Sequence, residues 1–558
     1  MLKNAFILIV TISFLISCST KKEKVDLIVH NGIIYSVDSA FTVYEAMAIK
    51  GGKIMELNSN KEILEKFEAN EINDLKGKSV FPGFIDAHCH FLGYGLGLQQ
   101  VNLVGTRSFN EVVERTVAFS NNLPADGPEI TAANGKTGWL IGRGWDQNDW
   151  ESKQYPTKKV LDSLFPNRPV FLTRIDGHAA LANEVALKLA GISNATKISG
   201  GEILKNGNKL TGVLIDNAVD LVKTFIPKNN KEKIEHALLS AQDNCLAMGL
   251  TTVDDAGLMK QDIDVIDELQ KLKKLKMRVY AMLSDSTPNY NYYLKNGPYK
   301  TECLNVCAFK FYADGALGSR GACLLHDYDD KQNWKGFLLS EQKHFEEKAK
   351  EVLAKGFQMN THCIGDSAYK IILGAYKKAG AKKEDRWRIE HAQVVDPVEM
   401  KNSDGIIPSV QPTHATSDMY WAEERLGNKR VKYAYAYKEL LTVCGLVALG
   451  TDFPVEDISP FKTFFAAVAR QDNKGFPKDG FQKENALSRE ETLKGMTIWA
   501  AYSNFEEKEK GSLEKGKFAD FVILDTDIMK CKITDVLKTE VLFTYINGEK
   551  VFEYKRSK

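Results

Sequence analysis

Net charge is the first thing this chain lacks. Its 74 basic and 73 acidic side chains leave a formal charge of +1 over 558 residues. A nucleic-acid or polyanion partner needs a basic excess or stripe, so no such partner is expected. No repeat at a fixed period and no long low-complexity tract stands out, which sets aside repeat architectures. The apolar run over residues 5–16 is too short to span a bilayer comfortably. Cysteine occurs nine times but never as a CxxC pair, and the nearest two, Cys303 and Cys307, are four apart. That scatter is no disulfide framework, and small buried apolar side chains are the expected role for most of them. Histidine is scarce, with ten in the whole chain, so any clustering of it carries information. What remains is ordinary for a soluble globular protein: 44% hydrophobic and 26% charged residues, in a chain long enough for one large domain and a smaller one.

The N-terminus, MLKNAFILIVTISFLISCST, has the shape of a secretory signal: Lys3, an apolar run, then Leu15-Ile16-Ser17-Cys18. Its end is similar to a bacterial lipobox, in which the cysteine is lipidated and becomes the mature N-terminus. The expectation is therefore a signal peptide over residues 1–18 and lipidation at Cys18. The protein would be exported and anchored by acyl chains to a bacterial membrane, at its periplasmic or cell-envelope face. An ordinary cleaved signal with a chance cysteine is the plainer alternative. Lys21, Lys22, Glu23 and Lys24 form a short polar tether.

Both ends of the mature chain read as β structure. VDLIVHNGIIYSVD sets Asn31-Gly32 between apolar runs, a hairpin-turn signal, and AMAIKGGKIMELN repeats it at Gly51-Gly52. FADFVILD reads as a strand, and LFTYINGEKVFEY as a hairpin turning at Asn547-Gly548. The two ends are expected to pair into a small composite β-sandwich domain, residues 25–80 plus 505–555, with residues 81–504 inserted between them. There the strand candidates are VFPGFIDAH, LTTVDDAG, MRVYAML, CAFKFYADG, FQMNTHCIG, RWRIEHAQ, IIPSVQP and LVALGTD. Amphipathic helices separate most of them, as in KEKIEHALLSAQDNCLAMG, where Ile234, Ala237, Leu238, Ala241 and Cys245 share a face. Eight β/α units in sequence predict an α/β fold closed into a (β/α)8 TIM-like barrel. A long insertion rich in Gly, Trp and Pro, about residues 100–230, follows the first barrel strand. Ser488 and Glu491 form a capping box at the start of the last helix.

On this frame the polar residues fall at strand ends. His88 and His90 close the first strand, Lys310 lies in the fourth, His362 ends the fifth, His391 lies in the sixth and Asp452 ends the eighth. Barrel active sites form at the C-terminal ends of the strands. With a period of two, His88 and His90 point the same way and Cys89 points oppositely. Two imidazoles so placed can share a metal ion. His362 and His391 would add nitrogen ligands and Asp452 an oxygen, a set that suits Zn²⁺ and also fits Mn²⁺, Fe²⁺ or Co²⁺. A lone strand histidine is usually just a satisfied side chain, the role assigned to His30, His236, His326 and His344. Asp452 alone would pass for a loop cap, and a buried Lys310 is normally excluded from an interior. It is the coincidence of all six on one barrel that favours a metal site.

The chain resembles the amidohydrolase superfamily, in particular the amidohydrolase 3 subgroup that includes N-substituted formamide deformylases. The matching motifs are GKSVFPGFIDAHCH, KFYADGALGSRGA, THCIGD, RIEHAQ, LGTDFPV and GSLEKGKFADFVILD, with GRGWDQNDW and TGVLIDNA in the insertion. The resemblance covers essentially the whole chain after the signal. It implies that His88, His90, His362, His391 and Asp452 are metal ligands, for one or two ions. It implies that Lys310 matches the position that can be carboxylated and bridge two metals. It further implies hydrolysis of a small-molecule amide, formamide or cyclic imide, with Asp452 as general base. A lactonase or esterase on the same site, or a non-catalytic ligand-binding lipoprotein, are the competing readings. His178 is a candidate substrate contact or oxyanion donor, or a loop-structural residue. Trp145 (with Asp146), Ser319 and Arg320 are candidate substrate contacts, against packing and loop-stabilising roles. A homodimer is the one further association entertained.

Overall fold

The computed structural model describes residues 21–122, 138–175, 177, 179–198, 201–227, 229–318 and 320–555. Cys18 with the rest of the signal, His178 and Ser319 lie outside the described residues. Eight parallel strands follow one another around a barrel: β1 (Phe84–Cys89), β2 (Leu250–Leu258), β3 (Arg278–Ser284), β4 (Leu304–Tyr312), β5 (Gln358–Cys363), β6 (Arg388–His391), β7 (Ile407–Val410) and β8 (Ala448–Leu449). Each pairs in parallel with the next in the chain. Alternation sorts their side chains. On β4, Phe309 and Phe311 join the large apolar core outside the barrel, where Phe309 stacks on Tyr290 at 5.2 Å. Lys310 and Tyr312 instead line a cavity at the barrel mouth. The helix Lys231–Ala247 buries Ile234, Ala237, Leu238, Ala241 and Cys245, the face its sequence periodicity marks.

The ring closes without a regular ladder between β8 and β1. The segment after β8 does the joining: the Asp452 N–H donates to the His88 carbonyl at 2.7 Å, and the His90 N–H donates to the Phe453 carbonyl at 2.8 Å. The approach is close enough that a Cβ on Gly450 would lie 2.5 Å from the His88 nitrogen. Glycine is required there by space rather than by its dihedral freedom.

Between β1 and β2 the chain builds a six-stranded sheet of its own. The spatial order is Val101–Asn102, Leu140–Trp145, Val170–Arg174, Ala179–Ala182, Lys209–Asp216, Gly201–Asn206. One apolar cluster gathers Trp145, Trp150 and Leu172, and another gathers Phe171, Leu187 and Leu214.

Strands from the two ends of the chain share a mixed sheet, in the order Glu549–Glu553, Val541–Ile546, Phe521–Leu524, Ser79–Pro82, Ile33–Tyr35, Val43–Tyr44. A four-stranded sheet, Lys53–Asn58, Ala46–Lys50, Glu23–His30, Phe67–Asp74, packs on it through a core that includes Leu27, Val29, Met47, Val80 and Phe521. A buried ion pair ties these sheets to the barrel: Arg278 on β3 donates from Nε and Nη2 to Asp520 at 2.6 and 3.0 Å.

One sequence expectation fails here. Asn31-Gly32 does not turn a hairpin, because Glu23–His30 and Ile33–Tyr35 belong to different sheets. Asn31 does adopt the left-handed φ of 58° that such a turn uses. The side chains around it direct the chain elsewhere: the Asn31 N–H donates to Asn60 Oδ1 at 2.6 Å and its Nδ2 donates to Asp74 at 2.9 Å. The dipeptide therefore forms a corner between sheets. Gly51-Gly52 and Asn547-Gly548 do turn hairpins, all four residues having positive φ.

Candidate active site

Four imidazoles and a carboxylate meet at the C-terminal mouth of the barrel. His88 and His90 project from the end of β1, His362 from β5, His391 from the end of β6, and Asp452 from the closing segment. Simple alternation does not explain all of them. On β6, Arg388 and Glu390 engage His88 and Asp254 within the barrel, so the next residue should point outward. His391 turns in because its φ is +69°, and Asp452 likewise sits at +62°. Left-handed backbone at such residues costs about 1–3 kcal/mol each and persists where the surroundings over-determine it.

The hydrogen bonds fix how each ring presents itself. His88 Nδ1 makes a short contact with Glu390 Oε2, His90 Nδ1 bonds the Ala256 carbonyl at 3.1 Å, and His391 Nδ1 bonds Gln411 Oε1 at 2.8 Å. Each acceptor holds the proton on Nδ1 and leaves Nε2 as the lone-pair nitrogen, which at His88 accepts from Lys310 Nζ. His362 interacts with the Gly315 backbone, and among the described residues its buried Nε2 has no hydrogen-bond partner. Asp452 Oδ1 likewise has no hydrogen-bond partner among the described residues, although His90 Nε2 lies 3.2 Å away. His88, His391 and Asp452 offer ligand atoms all within 4.8 Å of one another. Lys310 is fully buried, its Nζ 3.2 Å from His88 Nε2.

Electrostatics keeps His88, His362 and His391 neutral and Asp452 and Glu390 ionised, whereas at His90 burial is outweighed by the neighbouring Asp452, which raises the pKa. Burial, reinforced by the Lys310 charge, pushes the His88 pKa down to about 4 and that of His362 to about 3. Burial and the neighbouring imidazoles take His391 well below the usual range. Burial would raise Asp452, but the contact with His90 and the fields of His88 and His414 outweigh it and hold the acid well below the ordinary value. Burial lowers Lys310 to about 8 against the pull of Glu390 and Asp452, so a share of neutral amine exists near neutral pH. Beneath the site, Arg388 donates to Glu390 Oε1 at 2.7 Å and to Asp254 at 2.9 Å, all three fully buried. Burial would also raise Glu390, but Arg388 and His88 overcome it and keep the carboxylate ionised.

The cavity has a volume of about 370 Å³. Besides these residues it is lined by Tyr312, Leu317, Gln393, His414, Trp421 and Glu456. Other sequence candidates lie elsewhere. Trp145 is buried in the insertion, its Nε1 donating to the Leu172 carbonyl at 2.7 Å and its ring 6.0 Å from that of Trp150, and it does not line the cavity. Asp146 pairs with Arg174 at 2.6 Å. Arg320 pairs with Asp330, Nη2 to Oδ2 at 2.7 Å, the loop-stabilising alternative, and it too is absent from the lining. Sequence reasoning missed Glu390, Arg388, Asp254, Gln411 and His414. His414 carried a usable signal, since it stands two residues beyond the seventh strand candidate.

The arrangement suits a cation. Buried polar atoms normally find partners, yet His362 Nε2, His414 Nε2 and Asp452 Oδ1 have none among the described residues. Imidazole nitrogens and an ionised carboxylate turned toward one cavity form the donor set of a divalent metal.

Comparison with known proteins agrees. The model of the "Amidohydrolase family" matches residues 71–552. The Bacillus subtilis protein YtcJ is 31% identical over 537 residues, 94% of this chain and 99% of that one. N-substituted formamide deformylase from Arthrobacter pascens is 26% identical over 566 residues, 95% of this chain and 99% of that one. The crystal structure of an uncharacterized metal-dependent hydrolase from Pyrococcus horikoshii superposes with a TM-score of 0.74 at 28% identity, covering 91% of this chain and 99% of that one.

Proposed function

From the premise that the chain belongs to the amidohydrolase family and is a metal-dependent hydrolase, we propose that it cleaves carbon–nitrogen bonds other than peptide bonds, in an amide, an N-substituted formamide or a cyclic imide. The observation that carries this reading is the set of imidazoles with Nε2 turned toward one cavity beside an ionised Asp452. The preference for a C–N bond draws on the end-to-end likeness to a formamide deformylase. A volume of about 370 Å³ suits a small molecule.

His88, His90, His362, His391 and Asp452 would hold the metal, taken to be Zn²⁺. Lys310, if its neutral amine adds carbon dioxide and loses a proton, would become an anionic carbamate able to help hold a second ion. When bound, a divalent metal supplies water acidified to near neutrality and a Lewis acid for the carbonyl. Asp452, ionised across the neutral range, accepts the proton of the attacking water on its carboxylate and returns it to the leaving nitrogen. The products are an acid and an amine. Glu390 and Gln411 hold the His88 and His391 rings in the tautomer that leaves Nε2 available. The N-terminal pattern ending at Cys18 supports an exported protein held to a membrane by acyl chains.

Metal-loaded protein assayed against N-substituted formamides, simple amides, cyclic imides and lactones tests the reading. Turnover of at least one C–N substrate is expected. Turnover confined to lactones would transfer the site to ester chemistry, and tight ligand binding without any turnover would support a binding protein.

A further inference from the structure

His414 is not among the five residues proposed above to hold the metal, yet its Nε2 is one of the unpartnered donors of the same cavity. It follows β7 on the helix Pro412–Asp418, and its ring lies flat against His391, with centroids 5.9 Å apart and planes 14° apart. Its side chain is only 12% exposed. Among the described residues its Nε2 is buried without a hydrogen-bond partner, and it stands 3.7 Å from Asp452 Oδ2, too far to be satisfied by it. A buried imidazole nitrogen aimed into a cavity and left unpaired by the protein is a group held ready for a ligand atom.

Resting on the hydrolase reading, we propose that His414 is a catalytic residue: its Nε2–H donates a hydrogen bond to the acyl oxygen of the bound substrate and strengthens that bond as negative charge develops there. The stacking on His391 fixes the ring plane in advance, so little reorganisation accompanies the reaction. The position beside Asp452 sets the donor next to the group that handles the proton. A donor of this kind acts on an amide and on a lactone alike, because both develop charge on the same oxygen.

The test compares the metal-loaded wild-type protein with His414→Ala and His414→Gln, on whichever acyl substrate the wild type turns over, with metal content measured by elemental analysis. Losing one such donor should lower kcat by roughly 10²–10³-fold with KM little changed and metal content the same. His414→Gln, which keeps an N–H donor, should recover part of the loss. Unchanged kcat in His414→Ala would overturn the proposal, as would metal content falling in step with activity, which would make His414 a ligand. If the wild type cleaves only lactones, the C–N reading fails while His414 is still judged on the lactone. If the wild type turns over no acyl substrate, both fall.

Discussion

Replacing Glu390 by Gln probes the support beneath the metal site. The Glu390 carboxylate is fully buried and receives the His88 Nδ1 proton together with Arg388 Nε at 2.7 Å and Nη2 at 3.1 Å. The amide keeps the volume and one acceptor but removes the charge, leaving Arg388 with Asp254 as its remaining carboxylate. Breaking a buried pair by removing one partner costs about 3–5 kcal/mol, a large fraction of the roughly 5–15 kcal/mol that holds a protein folded. The second effect is local. An amide opposite Nδ1 can donate as well as accept, so it no longer fixes the tautomer that puts the His88 lone pair on Nε2, and loss of such a partner weakens metal binding by about 10–100-fold. Urea unfolding of the metal-free protein should show the stability loss, and competition with a chelator should show the affinity loss. A Glu390→Gln variant with both the urea midpoint and the metal affinity of the wild type would refute the reasoning.

Lys310→Ala should reduce the metal content, from two ions per chain to one or none by elemental analysis; unchanged content would mean that Lys310 bridges nothing. Cys18→Ser should move the protein from the detergent phase to the aqueous phase in a partition assay of expressing cells; identical partitioning would set the lipid anchor aside.

Much of the barrel was legible in the sequence because its strands are short apolar runs separated by amphipathic helices. All eight candidates contain or overlap the observed strands. His88 and His90 announced themselves by a spacing that alternation converts directly into a shared face. Glu390 did not, because it adjoins His391 and strict alternation forbids both from facing inward. The conflict is resolved by a left-handed φ at His391, a feature with no signature in residue type. His414 was passed over since it opens a helix, outside the strands where ligands were sought. Trp145 and Arg320 take the packing and loop-stabilising roles that stood as their alternatives. Tryptophan and arginine are common in binding sites, but one here fills a core and the other clamps a loop. The Asn31-Gly32 signal specified the local backbone correctly and the partner strand incorrectly, since pairing depends on distant residues such as Asn60 and Asp74.

The closing of the ring leads to one last consequence. The final strand has only two residues, Ala448–Leu449, and the joint to β1 depends on the backbone of the segment that carries Asp452. The acid proposed to handle protons is thus also a clasp. An ion gripped at once by His88 and Asp452 would rivet the first turn of the barrel to the last, so occupancy and mechanical integrity would rise and fall together. Substitutions on the loops of other strands can reshape the substrate cavity without loosening this joint. Changes near Asp452 cannot, and the freedom to evolve new specificities is correspondingly uneven around the ring.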